Sequence, residues 1–227
     1  MPHRGLSWFR LKEHFRKFFA IYIVGFVVCA ILSNIVFTST TPRTPIEQEV
    51  LIYVADSYTS TSKLDHVAEE MLLYGQTNDE TLLEIDFEDL QFSNPEEDYY
   101  SSMVLVTRLA LQEGDAFIAS SYCTDTLLKH EVYLPLDEYL ANGWLEGLDL
   151  EPVTYTSETT GETCIAAVRL DNVTALAELG AVSPTGATLM IMNNSTNLET
   201  TMDVIDHMLR NMLEGNYAPA ESSESAS

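Results

Sequence analysis

The chain has 227 residues, 11 of them Lys or Arg and 35 Asp or Glu, for a formal net charge of −24 at pH 7. That length allows one sizeable domain with extras. The charge is uneven: residues 46–227 carry five basic residues against 34 acids, a net −29, so this part repels phosphate backbones and nucleic acid is excluded as a partner.

Residues 1–17 hold Arg4, Arg10, Lys12, Arg16 and Lys17 and read as a basic cytoplasmic segment. Residues 18–37, FFAIYIVGFVVCAILSNIVF, contain no charge, and twenty apolar residues in a helix span roughly 30 Å of hydrocarbon. The spacing predicts a transmembrane helix, and the basic flank places the N-terminus in the cytoplasm by the positive-inside rule. The expected location is therefore the cell membrane, single-pass, with the C-terminal domain extracellular. The rival is a cleaved signal peptide with Val28-Cys29-Ala30 at the cut, but its apolar run is longer than the usual signal core. Residues 38–48 are polar with two prolines and read as a linker.

Residues 49–215 alternate strand and helix. Val50–Ala55 is a continuous apolar run, as in a strand buried on both faces. Ser60-Thr61-Ser62 begins a helix with Leu64, Val67, Ala68, Met71 and Leu72 on one face, and Gly75 is placed to stop it. Leu83, Ile85 and Phe87 alternate with acids, a strand near a sheet edge. Asn94-Pro95-Glu96-Glu97 is a helix start, followed by a buried stripe of Tyr100, Met103, Val104, Thr107 and Leu111 that Gly114 terminates. Ala116–Ala119 is a third strand. Residues 153–170 read as a hairpin about a Thr-Thr-Gly turn, a short helix at 174–179 stops at Gly180, and 188–192 is another buried strand. Asn197 caps a long helix with Thr201, Val204, Ile205, Met208 and Met212 on one face. Residues 216–227 are small and polar and read as a disordered tail. The order β-α-β-α-β predicts an α/β fold, a mostly parallel sheet covered by helices with one antiparallel strand or hairpin.

Chemistry-bearing motifs are sparse. There is no nucleophile elbow, zinc-protease, phosphate-loop or dinucleotide glycine pattern, and no enzyme activity or cofactor is expected. His66, Glu69 and Glu70 have helical spacing that suits a metal, but no second cluster completes a site, so no metal is expected. In open α/β sheets ligands bind beyond the carboxyl ends of the strands. Two such ends are readable: Asp56, Ser57 and Tyr58 after the first strand, and Ser120, Ser121 and Tyr122 after the third. Hydroxyls, aromatics and nearby helix starts suit hydrogen bonding to a small polar solute.

Gly114-Asp115-Ala116-Phe117-Ile118 followed by Leu134-Pro135-Leu136-Asp137 resembles a segment of bacterial extracellular solute-binding proteins of ABC transporters. TGETCIAAVRL (160–170) is similar to the strand leading to the hinge of that family. MIMNNSTNLETTMDVIDHML (190–209) is similar to the strand, loop and helix that close its first lobe. The resemblance implies a single lobe: the family's second lobe would be inserted between the last two matches, where only residues 170–189 stand. It implies a membrane-anchored binding module for a small polar solute, or alternatively an interaction protein of the cell envelope that docks on a transporter or other membrane partner. It also implies that the 163–169 strand runs antiparallel beside the third strand and so brings Cys164 near Cys123. A bridge there would close a loop of about 42 residues and stabilise the fold by roughly 4 kcal/mol; the other reading is two unpaired thiols.

Overall fold

The computed structural model divides the chain into two compact units, 1–43 and 44–227. It describes residues 19, 23, 26–33, 44–91, 99–111, 113–183 and 185–217. In the first unit the described helical run is 26–33. Among the described residues no helix is long and apolar enough to cross a membrane. The expected transmembrane architecture is corrected accordingly; the rest of 18–37 lies outside the described residues.

The second unit begins with a 3₁₀ turn, Ile46–Gln48, and then runs β1 (Glu49–Asp56), α1 (Asp65–Asn78), β2 (Glu84–Gln91), α2 (Tyr99–Leu111), β3 (Ala116–Ala119), α3 (Ser121–Lys129), α4 (Asp137–Ala141), β4 (Pro152–Thr156), β5 (Thr163–Arg169), α5 (Thr174–Glu178), β6 (Thr188–Ile191) and α6 (Leu198–Leu213). The helix start expected at 94–97 lies outside the described residues. The six strands form one sheet in the order β2-β1-β3-β6-β5-β4. The fold is α/β, but the sheet is mixed rather than mostly parallel. β1 pairs in parallel with β2 and β3, whereas β3–β6, β6–β5 and β5–β4 are antiparallel. The 157–162 turn accounts for the expected β4–β5 hairpin; the difference lies in β6, which enters between β3 and β5 and runs antiparallel to both.

Alternation along β1 sends Val50, Ile52 and Val54 to one face and Leu51, Tyr53 and Ala55 to the other. The first face packs under α1 and α6 through Val67, Met71, Val204, Ile205 and Met208. The second packs under α2 and α3 through Leu105, Leu109, Cys123 and Leu127. Helices thus cover both faces, which explains why β1 reads as an unbroken apolar run.

Gly75 does not stop α1, which continues to Asn78. A Cβ at Gly75 would stand 2.6 Å from a Leu82 methyl and 2.9 Å from a Val204 methyl. The glycine serves close helix approach, and α6 occupies the space. Of the stripe expected to be buried on α2, Val104 packs against the core, but the rest faces solvent: Tyr100 is 76% exposed, Met103 55% and Leu111 59%, with Thr107 and Val106 (46%) beside them. Ser101, Leu105 and Leu109 are buried in their place. The helix is apolar on two sides, and Arg108 is tied down at the edge of the inward one. Its guanidinium pairs with Glu88 and, at 2.9 Å, with Glu113, and lies 5.8 Å over the Tyr53 ring. At the C-terminus Tyr217 is buried within the core, so the body extends two residues into the segment expected to be a tail; 218–227 lie outside the described residues.

The motifs at Gly114-Asp115 and 193–197 meet at the start of the parallel strands. Asp115, 5% exposed, accepts hydrogen bonds from the Leu51 amide (3.0 Å) and the Ser195 hydroxyl (2.6 Å). The backbone amides of Thr196 and Asn197 donate to it as well. The Asn197 amide group donates to the Ile46 and Glu49 carbonyls at 3.0 and 2.9 Å. One buried carboxylate thereby joins β1, β3 and the start of α6.

Candidate functional site

Adjacent parallel strands whose chains leave toward opposite faces create a crevice at their carboxyl ends, the usual ligand position of an open α/β sheet. β1 and β3 meet this condition. They pair through Ala55 and Ala119, α1 follows β1 onto one face, and α3 follows β3 onto the other. The structure therefore brings the two expected loops together, and the Ser120 amide donates to the Ala55 carbonyl at 2.9 Å.

The crevice is filled by the chain's own connection from α5 to β6. Asp56 is 4% exposed, and both carboxylate oxygens are engaged. The Ser57 amide and hydroxyl donate to Oδ1 at 2.6 and 3.2 Å, and the Ser183 amide donates to Oδ2 at 2.6 Å. The Ser60 amide donates to the Gly180 carbonyl at 3.2 Å. Gly186 has φ +76°, where a side chain is strained, and a Cβ there would lie 3.1 Å from the Ser121 Cβ, so glycine eases the approach of the two loops. The Gly186 amide in turn donates to Asp171 Oδ1 at 2.6 Å. Leu179, Ala181, Val182 and Ala187 send this connection's apolar side chains into the core.

Of the six expected ligand residues, Asp56 is thus a buried structural acceptor. Ser57 and Ser121 are exposed, Ser120 is half-buried at the start of α3, and Tyr58 and Tyr122 are exposed aromatics. Asp56→Ala leaves the Ser57 and Ser183 amides without their acceptor. The expected loss of stability is about 2 kcal/mol, read by urea unfolding of the full chain.

Cys123 and Cys164 are free thiols. β6 lies between β3 and β5, so β5 is not the neighbour of β3 that the resemblance implied. Two antiparallel steps restore the direction of β3 in β5, and Ala119, Thr188 and Arg169 stand on one row. Cys164 is therefore five residues back from the row where α3 begins, roughly 17 Å along the strand. Burial, with the Asp56 charge second, pushes the Cys123 thiol far above its ordinary range, which makes it chemically inert. The full chain has three cysteines. Denatured without reductant, it is expected to take up three equivalents of alkylating agent; uptake of one would mean that the bridge exists.

No family model, no curated protein and no solved structure matches this chain.

Two hollows lie away from the crevice. One, of about 410 Å³, is bordered by Glu151, Pro152, Arg169 and Asp171, and its cation Arg169 lies 3.6 Å from Glu151. The other, of about 660 Å³, lies between residues 139–144 and α6 and is bordered by Tyr139, Trp144, Glu199, Met202, Asp203 and Asp206. The Trp144 indole N–H donates to the Met202 carbonyl at 2.9 Å. Sequence reading missed this site because its two walls are separated by more than fifty residues, and each alone reads as an ordinary amphipathic segment. Among the described residues no group of three or more His, Cys, Asp or Glu side chains is placed to hold a metal ion; His66 is 3.5 Å from Glu70 on an exposed helix surface.

Proposed function

We propose that residues 44–217 form a non-catalytic interaction lobe that docks a partner polypeptide through the outer face of α2. The observation that carries this reading is the row Met103, Val106 and Leu111, each about half exposed or more, on one side of a 13-residue helix. Apolar side chains grouped on one helix face mark interaction sites more often than scattered ones do. Docking is favoured over solute capture at the strand ends because the Ser183 segment already takes up the hydrogen-bonding capacity of Asp56 there. The partner's chemistry follows from charge. With net −29 over residues 46–227, a second copy is repelled, whereas an apolar stripe bordered by Lys and Arg is attracted.

A photo-crosslinking residue placed at Met103 of the full chain, expressed in its source cells, is expected to give one discrete adduct with a protein basic at the contact. Val106→Glu is expected to remove that adduct. The same probe at Leu73, an exposed residue of α1, serves as control. Equal labelling from both positions, or an adduct with a second copy of the chain, contradicts the reading.

A further inference from the structure

The geometry points to a second binding site on this lobe: the hollow between residues 139–144 and α6 takes an organic ammonium ion with a short apolar stem. Its walls are two aromatic rings, Tyr139 and Trp144, and the Met202 side of α6. Its polar border is three carboxylates, Glu199, Asp203 and Asp206, with no Lys or Arg among the lining residues. The three acids are not equivalent. Asp206 is matched by Arg210 through bonds of 2.7 and 2.9 Å. Among the described residues Asp203 accepts from neutral donors alone, the Tyr74 hydroxyl at 3.2 Å and the Asn78 amide at 2.7 Å. These orient the carboxylate and leave its charge uncompensated. Glu199 is exposed at the first turn of α6.

The aromatic wall is held in place. The indole nitrogen is tied to the α6 backbone at Met202, which fixes the ring against that helix. Leu145, the next residue, is buried with φ +61°, a conformation rarely adopted by a bulky side chain, and it fixes the backbone that carries the indole. The positive charge of an ammonium ion is attracted to an indole face and to the carboxylates of Asp203 and Glu199, neither of which is paired with a Lys or Arg among the lining residues, while a stem of a few methylenes covers the apolar floor. An anion is repelled by the same groups. A neutral alcohol of the same shape gains only the floor. A volume of about 660 Å³ falls within the range of small-molecule sites.

The chain has two tryptophans, Trp8 and Trp144, so full-length Trp8→Phe protein reports on this site through the fluorescence of Trp144 alone. The probe is n-butylammonium chloride, with n-butanol and sodium chloride at matched concentrations as controls. The expected result is a saturable change with n-butylammonium that neither control reproduces. Glu199→Gln, an exposed change that leaves the α6 contacts intact, is expected to weaken binding about five-fold, the loss of one charge at close range in water. Asp203→Asn is expected to weaken it at least as much. An unsaturable response, an equal response to n-butanol, or unchanged affinity in Glu199→Gln and Asp203→Asn with both variants folded by circular dichroism overturns the assignment.

Discussion

Asp115→Ala is expected to lower the unfolding free energy by about 4 kcal/mol. The carboxylate is almost wholly enclosed and receives the Leu51 amide, the Ser195 hydroxyl and the amides of Thr196 and Asn197. Truncation strands several buried donors at once, each costing about 1–3 kcal/mol with partial relief from water. Burial also raises the Asp115 pKa above its ordinary value, against the lowering effect of its donors. A carboxyl whose folded-state pKa lies above the unfolded one contributes stability that is complete below the unfolded value, about 3.9, and is lost as pH rises through the folded value. The difference between native and Asp115→Ala stability is therefore expected to be larger at pH 4 than at pH 7. Urea titrations of both proteins at the two pH values check the size and the sign. A cost below about 1 kcal/mol at both would mean that the carboxylate does not join these elements.

Gly114→Val is the second large effect, at about 3 kcal/mol. Gly114 has φ +93°, where a β-branched residue is strained, and a Cβ would stand 2.5 Å from the Tyr53 ring. That ring cannot retreat freely, because it stacks on Phe117 at 5.1 Å and lies beneath the Arg108 guanidinium. The substitution is expected to lower the melting temperature and disturb the near-ultraviolet signal of the stacked aromatics. Wild-type values for both would place the glycine away from the ring. Because Gly114 and Asp115 are neighbours with shared surroundings, the double variant is expected to cost less than the two single losses together.

These two residues also mark how far the sequence could be read. The Gly-Asp pair and the Asn-Ser-Thr-Asn loop are each legible as turn and cap signals, but their purpose as partners is visible only when β3 and α6 are folded together. Strand periodicity in β1, β2 and β3 was legible because a parallel centre buries both faces and an edge buries one. The direction of β5 was not. Antiparallel and parallel strands carry the same alternation, and only β6 inserting between β3 and β5 separates the two thiols. The inward side of α2 was not legible either, since Leu105 and Leu109 compete with Met103 and Leu111 for the same core, and their periodicity is equally helical. The strand-end residues were legible as a place but not as a purpose. Asp56 and Ser120 stand where a ligand would be expected, yet what faces Asp56 is the backbone of residue 183, more than one hundred positions away. The Trp144 hollow had no signature at all, because it is assembled from two segments with no shared motif.

The closed crevice at the end of β1 and β3 can be tested at a single atom. Hydrogen exchange at the Ser183 amide, followed by nuclear magnetic resonance on the full chain, is expected to be slowed at least about 100-fold relative to an unstructured peptide, and to return to the unstructured rate in Asp56→Ala. Free exchange of that amide in the native protein would mean that the crevice is open, and would return the strand ends to the role of a solute site.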